Sequence, residues 1–334
     1  MIGGGVSIQA GAHLSVNHLV VPRLSRLLSA ADALGLTVHK RKGQVTFIDG
    51  GIEARGSAAA GARIAEVCMA GLGAVQPGGQ LDPGWPSWTE VRSVQPVIAC
   101  LASQHAGWRL EVADAGDGLG PFRALASGPA RSLACTERVF ADLGYSDEAL
   151  EGVLLLETDR RPPDSVVERI LSDCGLDPEG LTLILAPINS MTGMTQRVAR
   201  VMEIAIYRAY RLGFPMDQIV DGRASVPQAV PSPDMTVSTG RAHDAVIYGG
   251  RVHLRVKCED EQARELAMKL PSLNSSEFGQ AFEEVYLRHG GDTSKVDPAL
   301  IAPAEVWISN LLSGRTWRAG GLRIDLLNER WVER

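Results

Sequence analysis

The sequence predicts an α/β protein with mixed, α+β-like sheets in two domains, and three observations lead to that expectation. Val153-Leu154-Leu155-Leu156 and Leu181-Thr182-Leu183-Ile184-Leu185 are short apolar runs of buried-strand type. Between them Ser165 to Cys174 has helical spacing, which makes a strand, helix, strand unit and a partly parallel sheet. Gln76 to Gly84 is too rich in Pro and Gly for regular structure, and the prolines of Val226 to Pro233 remove ladder donors and fix φ, so both stretches are candidate boundaries. They divide the chain into a discontinuous α/β-type domain, 1–88 with 230–334, and a second, 89–229.

Taken in order, the elements begin with a helix over about Asn17 to Leu34, then a β-hairpin, Thr37 to His39 and Val45 to Ile48. A small-residue helix covers Ala58 to Met69. Strands follow at Val91 to Val94 and Trp108 to Val112, around a short helix at Ile98 to Ser103. After the parallel unit comes an amphipathic helix from Gly193 to Leu212. Val198, Val201, Met202, Ala205, Ile206, Ala209 and Leu212 form its apolar stripe, Thr192 can cap it, and Gly213 with Pro215 stops it. The last third reads as a strand from Asp244 to Lys257, helices near Glu261 to Lys269 and Glu277 to Leu287, and a strand at Val306 to Ile308.

Composition narrows the function. With 334 residues the chain can bury a substantial core, and 45% apolar against 22% charged residues is ordinary for a soluble globular protein. A net charge of −6 and 5% aromatics argue against a duplex-binding or base-stacking surface. The basic run Lys40-Arg41-Lys42 precedes Gly43 and a strand, so a hairpin turn explains it. Cys68, Cys100, Cys135, Cys174 and Cys258 are dispersed, as reduced thiols of a cytoplasmic protein would be. His13 with His18 lacks a third ligand, and no metal is expected. The first residues have no basic region or unbroken apolar run, so no signal peptide is expected, and no run reaches membrane-spanning length.

Arg200 and Glu203 are the candidate chemical groups. Three residues apart, they lie roughly 60° apart around a helix, on the side away from the apolar stripe. A solvated ion pair is the plain alternative. Two details point beyond it: Arg before Glu opposes the helix dipole, and Ile204 and Tyr207 flank the pair where water is expected. That combination is expected of a partly apolar cleft in which a guanidinium keeps a carboxylate ionised and oriented.

Other segments are candidates for binding. Ser127-Gly128-Pro129-Ala130-Arg131 is a tight turn into a helix, either an ordinary helix start or a backbone nest with an arginine for an anionic or polar group. Ala186-Pro187-Ile188-Asn189-Ser190 leaves a buried strand, which places Ser190, and Gln196 after it, at a strand end where ligands gather. Tyr248-Gly249-Gly250 is either a strand bend or a close backbone approach. Asp117-Gly118-Leu119-Gly120 lacks the preceding strand and the spacing of a dinucleotide fingerprint.

Together these segments resemble the methenyltetrahydromethanopterin cyclohydrolase family. The likeness is carried by Val94 to Trp108, by Ser127 to Arg131 and by Gly193 to Glu203. Weaker stretches, Ser15-Val16-Asn17, Tyr248-Gly249-Gly250 and Asp297 to Ala304, extend it over nearly the whole chain. The resemblance implies hydrolysis of the methenyl bridge of tetrahydromethanopterin to the 5-formyl derivative, in one-carbon metabolism. It also implies a homotrimer, no metal or redox cofactor, no nucleic-acid or membrane partner, and a pterin site in a cleft between the two domains. Its active-site arginine and glutamate match Arg200 and Glu203, and Ser127, Gly128, Arg131, Ser190, Gln196, Tyr248 and Gly249 are the substrate-binding candidates. The chain departs from the family pattern at Ala70 and Ala126, where Gly is usual, at Ile188, at Ala242-His243 and at Thr293-Ser294. A non-catalytic pterin-binding or regulatory relative, or hydrolysis of another cyclic amidinium, would share this scaffold.

Overall fold

The computed structural model describes residues 14–78, 82–113, 118 and 120–332. His13, the first residues, Asp117 and Leu119 lie outside them. By contacts the described chain forms two compact units, 1–72 with 98–193 and 73–97 with 194–334. This grouping differs from the one expected from the proline-rich stretches, because the strands beside those stretches join the C-terminal sheet while the N-terminal helices and hairpin join the parallel unit.

The first unit opens with α1 (Val16–Ser29), whose first turn is capped by Ser15, and α2 (Ala31–Leu34). The hairpin β1 (Thr37–His39) and β2 (Thr46–Asp49) follows as expected, then α3 (Ala58–Cys68), capped by Ser57. The second unit begins with β3 (Gly73–Gly78), paired antiparallel with β4 (Trp88–Ser93). Residues 76–78 were expected to be irregular. Pro77 is tolerated because β3 is a sheet edge, where a missing N–H breaks no inner ladder.

Returning to the first unit, residues Ile98–Gln104 form a π-helix, and β5 (Trp108–Val112), β6 (Phe122–Ser127), α4 (Arg131–Ala134) and α5 (Arg138–Leu143) follow. Then come β7 (Gly152–Glu157), α6 (Asp164–Cys174) and β8 (Leu181–Leu185). Strands β7 and β8 are parallel, as the sequence predicts. The six-stranded sheet runs β1-β2-β8-β7-β6-β5. Its core gathers Trp108, Leu110, Phe122, Leu154, Leu156, Leu183 and Leu185 with Val166 and Ile170 of α6.

Where one helix was expected from Gly193 to Leu212, there are two, α7 (Met191–Val198) and α8 (Val201–Arg211). Strand β9 (Ile219–Pro227) was not anticipated. It lies inside the second sheet between β10 and β4, with Pro227 at its last position. The segment expected as a strand from Asp244 is helix α9 (Met235–Gly249), set by Asp234, whose carboxylate accepts from Thr236 and Val237 N–H, before β10 (Arg251–Val256) begins. The chain closes with α10 (Asp260–Lys269), α11 (Phe282–Arg288), β11 (Glu305–Asn310), β12 (Thr316–Gly320) and α12 (Ile324–Trp331). The second sheet runs β12-β11-β10-β9-β4-β3 and is also mixed, with β10 and β11 parallel. Both sheets are therefore of the mixed α/β kind predicted.

Candidate active site

Each end of α7 is set by local chemistry. Ser190 Oγ accepts from Gly193 N–H at 3.0 Å, so Ser190 caps this helix. Thr192, expected to do so, instead accepts from Ser57 N–H at 3.0 Å. Gly193 is required because a Cβ there would overlap the Pro187 carbonyl. At the other end Arg200, at φ −81° and ψ 6°, stands between α7 and α8.

That break changes the electrostatics of the candidate pair. Glu203 occupies the first turn of α8, where a carboxylate is favoured by the free N–H groups and positive end of the helix. The unfavourable order expected for one continuous helix does not arise. Arg200 Nε donates to Glu203 Oε2 at 3.1 Å, and the two residues are only 5% and 2% exposed. This is a closed pair with little surrounding water, not a solvated one. Met202, between them, packs on Gly222 of β9, where a Cβ would lie 3.2 Å from its sulfur. Ile204 and Tyr207, the flanking residues, are half-buried.

The Ser127 to Arg131 turn is engaged with its own unit. Ser127 Oγ donates to Gln104 O at 2.5 Å, and Gly128 N–H donates to Ser103 O at 2.9 Å. Arg131, fully buried, donates to Leu101 O and Ser103 O and forms a two-point ion pair with Glu137 at 2.8 and 2.5 Å. These donors hold the carbonyls of Leu101, Ser103 and Gln104 in place. Any influence of Ser127, Gly128 and Arg131 on a ligand therefore runs through the segment they fix. Gln104, at its end, is 1% exposed, and neither side-chain Oε1 nor Nε2 has a hydrogen-bond partner among the described residues. Gln104 lies within the Val94 to Trp108 stretch without standing out there, since an orphaned amide leaves no mark in composition or periodicity.

Gln196 is buried in α7. Tyr248 is in the core of the second unit, its hydroxyl donating to Gln280 O at 2.5 Å and accepting from Gly279 N–H, with the Arg330 guanidinium 4.8 Å from its ring centre. Gly249 ends α9 against Pro227, where a side chain would collide with the proline ring. This is the close backbone approach considered above, with another segment of chain as the neighbour. Asp244, one turn before Tyr248, is 3% exposed and accepts from Phe282 N–H at 2.9 Å. Burial raises its carboxyl to about 7 despite that bond and Arg330. Among the described residues no three His, Cys, Asp or Glu side chains are grouped as a metal site.

A family model described as Cyclohydrolase (MCH) matches residues 15–331. The chain belongs to this cyclohydrolase family. A methenyltetrahydromethanopterin cyclohydrolase of Methylobacterium organophilum is 44% identical over 318 residues, covering 94% of this chain and 96% of that protein. The protein of the same name from Methylobacillus flagellatus is 42% identical over 316 residues, covering 94% of each chain. A more distant one, from Methanospirillum hungatei, is 32% identical over 315 residues, or 94% of this chain and 97% of that protein. The likeness of this cyclohydrolase to the family read from motifs thus extends along nearly all its length.

Proposed function

We propose that the protein hydrolyses the methenyl bridge of methenyltetrahydromethanopterin to the 5-formyl derivative in one-carbon metabolism, with Glu203 and Arg200 at the reacting centre. The closed Arg200–Glu203 pair at the start of α8 carries this reading. It is supported by membership of the cyclohydrolase family and by relatives bearing that enzyme name.

The methenyl carbon lies between two nitrogens that share a positive charge, so it is already electrophilic. Water needs placing and the removal of a proton more than activation. Glu203 takes that proton as the water oxygen bonds to the carbon, and its negative charge favours the cation beside it. The carbon–nitrogen bond that then breaks is the one away from nitrogen five, and Glu203 returns a proton to the departing nitrogen. One water is consumed and one positive charge leaves as a proton. Arg200 fixes the rotamer of Glu203 and keeps it ionised. Positioning of this kind supplies several kcal/mol, on the order of 7–11 in well-oriented cases, and the chemistry calls for no cofactor.

Assembly as a homotrimer and formaldehyde oxidation as the setting are further parts of the proposal and rest on the family resemblance. A cytoplasmic location accords with five free cysteines, and no helix among the described residues is long and apolar enough to cross a membrane. Loss of methenyl absorbance on incubation with the purified protein tests the activity. Turnover of methenyltetrahydromethanopterin well above that of methenyltetrahydrofolate is expected. Pterin binding without turnover would favour the non-catalytic alternative, and faster turnover of the folate would reassign the substrate.

A further inference from the structure

We propose that a cavity walled by α1, α2 and α3 binds a small organic phosphate, with Arg23 and Arg26 as the charged groups that hold it. Its whole wall belongs to the first unit, and the inference is independent of the reaction assigned to Arg200 and Glu203. Helix α1 packs against α3, and the cavity beside them measures about 350 Å³, within the roughly 300–1,000 Å³ of small-molecule sites. Arg23, Arg26, Leu27 and Ala30 recur at intervals of three and four, so one face of α1 carries two guanidiniums and an apolar strip. Leu34 of α2 extends the strip, and Arg63 of α3 completes the charged rim.

The charges of this wall do not balance internally. Among the described residues Glu66 is the one carboxylate lining it, and Arg63 Nη1 donates to Glu66 Oε2 at 2.8 Å. That pair leaves two positive charges over. Arg23 and Arg26 have no hydrogen-bond or ion-pair partner among the described residues, and residues 1–13 contain no Asp or Glu. Arg26, in the last turn of α1, gains from the negative end of the helix. Arg23, one turn earlier, has no such benefit and is half-buried. Its stem lies on Gly71, where a Cβ would come within 2.9 Å of Cγ and 3.2 Å of Nε. Gly71, at φ +72°, thereby seats Arg23 at the cavity. Like charges three residues apart on a helix repel each other, and an anion between them removes that repulsion.

The donor set selects the chemistry of the ligand. Two guanidinium forks offer more N–H groups than the two oxygens of one carboxylate can take in bidentate fashion. A phosphate monoester brings three terminal oxygens and, at pH 8, close to two negative charges, which match the two unbalanced arginines. The strip of Leu27, Ala30 and Leu34 suits an apolar body on the ester.

The experiment is a calorimetric titration of the purified protein at about pH 8 with phenyl phosphate, inorganic phosphate and benzoate. The wild type takes up one phenyl phosphate saturably. It binds inorganic phosphate, which lacks the apolar body, and benzoate, which lacks the second charge, each about tenfold more weakly. Joint replacement Arg23→Gln and Arg26→Gln weakens phenyl phosphate by about tenfold or more, with the melting temperature kept. No saturation by phenyl phosphate below about 10 mM, or an unchanged affinity in the folded double variant, overturns the proposal. Benzoate bound as tightly as phenyl phosphate overturns the assignment to a phosphate. Should the double variant not fold, Arg26→Gln at its exposed position decides: a loss of about threefold or more supports the site, and an unchanged affinity overturns it.

Discussion

Ala70 has φ +55° and follows α3, ahead of Gly71 at φ +72°. The left-handed region costs an L residue roughly 1–2 kcal/mol, part of which a glycine returns through the greater freedom of its unfolded chain. The sequence marked this position as one where the family usually has Gly, and the backbone explains why. Ala70→Gly should stabilise the protein by about 0.5–1 kcal/mol in urea unfolding; a loss of stability would mean that the Ala70 methyl packs well enough to outweigh the strain. Asp244 gives a pH signature. Its folded carboxyl is pushed up to about 7 from an ordinary 3.8, so between these the folded state holds more protons than the unfolded. Its contribution therefore declines as pH rises from about 4 to 7. Asp244→Asn keeps an acceptor for Phe282 N–H and lacks this slope, so its melting temperature should gain on the wild type between pH 4.5 and 8. Parallel curves would contradict the buried, uncharged state. Neither feature of Asp244 was legible in the sequence, because its burial depends on α11 and α12, which arrive much later in the chain.

The π-helix and α4 show what a motif does when its ligand is the protein itself. Arg131 was expected at an anionic group, and its fork is filled by Glu137 and by the carbonyls of Leu101 and Ser103. Arg131→Met should destabilise the protein by about 3 kcal/mol, since it leaves a carboxylate and two carbonyls without their donor. Guanidinium unfolding checks this, and a change below about 0.5 kcal/mol would contradict it. The break between α7 and α8 could not be read beforehand. No Gly or Pro lies between Val198 and Val201, so helix propensity gives no sign that the apolar stripe belongs to two helices. The spacing of Arg200 and Glu203 was legible all the same, because three residues bring side chains together across that junction too.

At the scale of the whole molecule, strong local periodicity gave the parallel β7-α6-β8 unit and the β1-β2 hairpin correctly. Elsewhere tertiary context overrode the local signals. Pro77 and Pro227 looked like boundaries, but one lies on an edge strand and the other ends a strand, so neither interrupts an inner ladder. Val246-Ile247-Tyr248 looked like strand, yet the Asp234 cap and the small residues Gly240, Ala242 and Ala245 let α9 pack closely, Gly240 against Glu283. These errors also moved the domain limits, since β4 and β9 build the C-terminal sheet. The contact between Arg200 and Glu203 does not depend on these limits, because both residues lie on one short local segment.

The most direct test of the account is single-turnover hydrolysis of methenyltetrahydromethanopterin by Glu203→Gln, with folding and pterin affinity measured on the same sample. Loss of a positioned general base predicts a fall in rate of about 10²–10⁴-fold, with the melting temperature and pterin affinity retained. A folded, pterin-binding variant whose rate stays within about threefold of the wild type would contradict the role given to Glu203.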